Sequence, residues 1–113
     1  MNRVVSNHFP YFPVKVAVQN QIEEFEVLLD TGFDGDIIVP QLDIKTPDTY
    51  VSIRLGDEST ILAPACLGSV TIGAKTISPI LVISVGFEPI LGRNLAKHFS
   101  ITLDHGRRLI IEL

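Results

Sequence analysis

Alternation of apolar and polar positions dominates this chain. Val14, Val16 and Val18 alternate with Lys15, Ala17 and Gln19. After a turn at Asn20, Ile22 through Leu29 returns, with Phe25, Val27 and Leu29 on one face and Glu24 and Glu26 on the other. A period of two is the mark of a half-buried strand. The same reading places strands at Ile37-Ile38-Val39, at Val51, Ile53 and Leu55, at Thr60-Ile61-Leu62, at Val70-Thr71-Ile72, at Ile77 to Val85, at Ile101 to Asp104 and at Leu109 to Leu113. Turn signals separate them: Gly56-Asp57-Glu58-Ser59, Gly73-Ala74-Lys75 and His105-Gly106. Pro79 falls inside a strand pattern, where proline requires a bulge or an edge. One stretch has helical spacing: Asn94 is placed to cap it, and Leu95 and Phe99 lie on one face. The expected class is all-β with one short helix.

A faint repeat runs through the chain. Residues 14–32 read as a hairpin, two apolar residues and an acidic-Gly loop. Residues 70–92 read as a hairpin, Ile90-Leu91 and Gly92. Two such halves would set the Gly32 and Gly92 loops side by side.

Composition narrows the function classes. A chain of 113 residues, 46% of them hydrophobic, suits one domain over 1–113 with its own core. A net charge of −4 and no basic block argue against nucleic acid, and Arg107-Arg108 reads as a solvated strand edge. No apolar run reaches the length of a membrane span, and Met1 to Ser6 lacks the apolar run of a leader. The single Cys66 excludes a disulfide framework, reads as a small buried residue and fits reducing, cytoplasmic surroundings. His8, His98 and His105 have no metal-ligand spacing, so no metal or cofactor is expected. Glu23-Glu24 and Asp57-Glu58 read as solvated turn charges.

The candidate chemistry sits at Asp30-Thr31-Gly32. The tripeptide lies between the apolar strand Phe25 to Leu29 and, after Phe33-Asp34-Gly35-Asp36, the apolar strand Ile37 to Val39. A carboxylate at the end of a buried strand is costly unless it is used. Glycine beside it lets the backbone turn and approach closely. About sixty residues on come Pro89-Ile90-Leu91-Gly92-Arg93-Asn94 and the short helix.

Leu28-Leu29-Asp30-Thr31-Gly32 together with Ile90-Leu91-Gly92-Arg93-Asn94 resembles the two-part signature of the retropepsin-like aspartic proteases, small bacterial members included. The resemblance implies a closed barrel with one short C-terminal helix. It implies that Asp30 is the catalytic aspartate, that Thr31 bonds across a dyad and that Gly32 brings an N–H to the carboxylate. The hairpin around Gly56 and Asp57 would be a flap over substrate, and Ile90 and Leu91 would border the site. Asp34 and Arg93 fall where the family has a structural ion pair. The chemistry needs two aspartates sharing a proton, and this chain supplies one loop. A homodimer acting on a peptide follows. The terminal strand Leu109 to Leu113 is expected at its interface.

Three features depart from the viral pattern: Phe33 after the glycine, a flap with Gly56 as its sole glycine, and a full hairpin after the helix. Asp36 stands where a Ser or Thr is common. Either it adds a third carboxylate near the dyad or it points to solvent. The rival function is a catalytically inactive module that holds an extended peptide by strand addition.

Overall fold

Strand pairing in a computed structural model explains how the Asp30 loop is held. The structure describes residues 3–86 and 88–113. Met1 and Asn2, part of the stretch read for a leader, lie outside the described residues. In chain order the elements are β1 (Arg3–Ser6), β2 (Tyr11–Val18), β3 (Gln21–Leu29), β4 (Ile37–Val39), β5 (Thr49–Arg54), β6 (Thr60–Ile72), β7 (Lys75–Ser84), β8 (Ile90–Leu91), α1 (Arg93–Ala96), β9 (Ser100–Asp104) and β10 (Arg108–Glu112). The class is all-β.

A seven-stranded sheet runs β2-β3-β8-β4-β7-β6-β5, and β2 also pairs with β6. Alternation is satisfied directly: Val14, Val16 and Val18 are buried, and Val27 faces them from the returning strand. The turn between those strands is made by Gln19 in a left-handed conformation. Leu67 and its neighbours join what the pattern suggested were two strands into one, so β6 is continuous from Thr60 to Ile72. Its first half pairs with β5 and its second with β2 and β7. A register shift between Gly68 and Val70, opposite Ser78-Pro79, bends it. Glycine is needed there because a Cβ at Gly68 would run into the carbonyl oxygen of Ala17. The bulge also accommodates Pro79.

The chain ends make a separate three-stranded sheet, β1-β10-β9. Leu109 and Ile111 of β10 are fully buried in the main apolar cluster with Phe12, Ile72 and Leu95. Their alternation therefore serves the chain's own core. The expectation that this strand lies at a dimer interface concerns a second copy; within the chain, the burial of Leu109 and Ile111 leaves Ile110, paired with Val5 and Thr102, on the outward row.

Helix α1 is shorter than its pattern suggested. Gly92, not Asn94, occupies the cap and, having no side chain, makes no side-chain cap bond; Asn94 lies inside the helix, where its amide donates to Asp36. Leu95 anchors the helix in the core.

Candidate active site

Two residues of β8 position the loop. Leu28 and Leu29 pair in parallel with Ile90 and Leu91, and Ile37 and Ile38 pair antiparallel with the same two residues from the other side. The short strand is thus wedged between the strands that enter and leave the Asp30 loop. The Asp30 N–H donates to the carbonyl of Leu91 at 3.0 Å. Beyond β8, the N–H groups of Gly92, Arg93 and Asn94 donate to the carbonyls of Asp36, Phe33 and Gly35 at 2.9, 2.8 and 3.1 Å. Gly92 has no room for a side chain, since a Cβ would meet the Phe33 ring at 2.6 Å and the Phe33 carbonyl at 2.8 Å.

Asp30 is half-buried as a residue, and its Oδ1 accepts the Gly32 N–H at 2.9 Å. Thr31 and Gly32 are exposed on the turn, and the Phe33 N–H closes it on the Asp30 carbonyl at 3.2 Å. A cleft of about 520 Å³ opens above them, lined by Asp30, Gly32, Phe33, Asp34, Ile38, Val51, Ser52, Ile53, Arg54 and Ile90. Its apolar wall is a second cluster in which Phe33, Val51, Ile53 and Ile90 pack on buried Ile38, Ala63, Ala65 and Ile83. The arrangement places one carboxylate on an apolar floor, beside a main-chain N–H and open to a ligand.

The other sequence-derived candidates fall into different places. Ile90 lines the cleft, whereas Leu91 is 0% exposed and offers a ligand no surface. Gly56 and Asp57 lie at the exposed tip of the β5–β6 hairpin and are absent from the cleft lining. The Asp57 carboxylate turns back to its own hairpin, accepting the Ser59 hydroxyl at 2.5 Å and the Ser59 N–H at 3.0 Å. Those bonds, the hydroxyl's first, hold its pKa below the ordinary carboxylate range.

Asp34 and Arg93 do not form the expected ion pair. None of the ion pairs among the described residues joins them, and both side chains are exposed. Water solvates each charge, so a pair there would contribute little. The bracing is done by Asp36 instead. Its Oδ1 accepts the Asn94 amide at 2.7 Å and its Oδ2 accepts the Leu81 N–H at 2.9 Å, while Lys97 Nζ donates to Asn94 Oδ1 at 2.9 Å. Asp36 neither points to solvent nor lines the cleft. One charged acceptor ties the loop to α1 and β7, which is the strong form of hydrogen bond.

Two contributions had no local signal. Ser52 and Arg54 reach the cleft although they alternate with its apolar lining. Tyr11 donates its hydroxyl to Glu88 Oε1 at 2.7 Å, tethering the segment that leads into Ile90; this bond, followed by burial, raises the Tyr11 pKa.

No protein-family model matches the sequence. No curated protein matches it either. Solved structures do, among them a retropepsin-like aspartic protease from Rickettsia conorii, with a TM-score of 0.68 and 21% identity over 97% of this chain and 89% of that one. The fold is retropepsin-like. Asp30 follows directly on β3, the strand that meets β8. No helix among the described residues is long and apolar enough to cross a membrane.

Proposed function

We propose that this chain, acting as one domain over residues 1–113, is a homodimeric aspartic endopeptidase. The observation that carries the reading is the Asp30 carboxylate, held by the Gly32 N–H on the floor of an apolar cleft in a retropepsin-like fold. The pairing of β2 with both β3 and β6 supports reading the large sheet as the closed barrel of that family.

The chemistry sets the assembly. Two carboxylates within reach of each other cannot both ionise easily, so they share one proton. The ionised member takes a proton from water as that water attacks the peptide carbonyl. The protonated member donates to the developing oxyanion. One Asp30 per chain makes the second copy part of the site. Thr31, exposed on the turn, is the residue that would bond across the two-fold axis. Gly32 holds the carboxylate in place. The β5–β6 hairpin with Gly56 and Asp57 at its tip closes over the substrate, and Ile90 contacts it. Buried Leu91 acts only by holding the Asp30 N–H.

The test is cleavage of a diverse peptide library by the parent protein and by Asp30→Asn. The substitution keeps the shape, removes the group that activates water and relieves like-charge strain between the copies. Cleavage should vanish while the protein stays folded and still binds peptide. Equal cleavage by Asp30→Asn would remove Asp30 from the mechanism. Peptide binding without cleavage by the parent at any pH from acidic to neutral would identify an inactive peptide-binding module.

A further inference from the structure

We infer that Arg54 makes this cleft select a peptide with an acidic side chain at one position, flanked by apolar ones; the inference rests on the cleft being a peptide site. Strand β5 is the edge of the seven-stranded sheet, bonded on one side only, to β6. Four consecutive residues, Val51 to Arg54, line the cleft. Residues of opposite faces line one cleft when the strand turns its edge toward it, because side chains alternate between faces. The unpaired N–H and C=O groups of that edge are what an extended peptide bonds to.

A peptide laid along this edge has its own side chains in two rows. One row runs beside Val51 and Ile53, which pack on buried Ala63 and Ile38. That row takes apolar side chains. The other runs beside Ser52 and Arg54. Cross-strand neighbours on one face interact directly, and opposite charges there are favourable. Arg54 is the one cation lining the cleft, and it has no carboxylate within 4.0 Å among the described residues. Across the cleft stand Asp30 and Asp34, which repel an acidic peptide everywhere except beside Arg54. The preference is therefore for an acid at one register, not for acidic peptides in general.

The experiment profiles a randomised peptide library by mass spectrometry, as cleavage by the parent chain and as binding to Asp30→Asn. Each profile is repeated with Arg54→Gln, Arg54→Lys and Arg54→Glu added. Arg54 is exposed, so melting temperatures should stay close to the parent's. Glu or Asp should be enriched over Gln or Asn about two- to fivefold at one position beside apolar ones, the range of an exposed cross-strand pair. Arg54→Gln should erase the enrichment, Arg54→Lys should keep part of it, and Arg54→Glu should turn it toward Lys and Arg. Added salt should shrink it. No acidic enrichment, or enrichment that survives Arg54→Gln, overturns the inference. Asp30-dependent cleavage with a profile indifferent to Arg54 would sink the selectivity and leave the protease reading standing. Arg54-dependent binding without cleavage would do the reverse. A library neither bound nor cleaved would remove both.

Discussion

Asp36 shows how much of this site rests on a single side chain outside the motif. Its two oxygens satisfy the Leu81 N–H and the Asn94 amide, joining β7, α1 and the Asp30 loop. Asp36→Ala leaves both donors without their acceptor, which should lower stability by about 1–3 kcal/mol in urea denaturation. Asp36→Asn should cost less, because its oxygen still accepts one bond. An unchanged midpoint for Asp36→Ala would mean that the main-chain bonds hold the loop alone. Gly92→Ala should also destabilise, since its methyl group would press on the carbonyl and ring of Phe33. By contrast Arg93→Ala, which removes an exposed guanidinium that joins no ion pair among the described residues, should leave the melting temperature within a degree or two of the parent's. The motif Asp30-Thr31-Gly32 was legible because it is local. The partners of Asp36 lie 45 and 58 residues away, beyond any spacing rule.

At the level of elements, the terminal hairpin couples the chain ends to the core. Leu109 and Ile111 are fully buried, so Leu109→Ala should cost about 2–5 kcal/mol, read by thermal or chemical denaturation. Deleting residues 109–113 should prevent folding, with loss of the β signal in circular dichroism, rather than merely loosen an assembly. The same hairpin carries a proton-linked brace. Asp104 accepts from Arg108 Nε at 2.6 Å and bonds His105 Nδ1 at 2.7 Å, and these two partners, Arg108 first, lower its pKa. A depressed folded-state pKa stabilises the native state above the unfolded value, and the contribution is lost as pH falls through the folded value. Asp104→Asn should therefore lower stability at neutral pH and flatten the acid limb of the stability profile. A parallel downward shift at all pH values would show that the bond, not the charge, matters.

For the whole molecule, the proposed shared site makes activity depend on a second copy. If two Asp30 side chains share one site, specific activity must fall on dilution along with the dimer measured by sedimentation. A fully active monomer would refute the shared site. Activity should follow pH as a bell, because one proton too many or too few disables the pair, and the two limbs belong to the pair rather than to either copy. If the proposed dimer uses the terminal sheet, its outward row, with Val5 44% exposed beside Ile110, offers the second copy an apolar surface. Val5→Glu should weaken association and leave the monomer folded.

Period-two alternation determined the strands of this protein, and two short motifs pointed to the loop at which the proposed chemistry lies, because both signals are carried by neighbours in sequence. The turn residues located the hairpins for the same reason. What the tertiary structure decided depends on long-range placement. It joined two short strand signals into one long β6, with a bulge between Gly68 and Val70 taking up the register shift. It assigned the Leu109 and Ile111 stripe to the chain's own core, because alternation marks a buried face without saying what buries it. It replaced an Asp34–Arg93 pair by the Asp36–Asn94 bond, because charge spacing does not reveal which side chain points inward. It also brought four consecutive residues of β5, Arg54 among them, to the cleft that holds Asp30. No local pattern encodes that neighbour; only the order of strands in the sheet does.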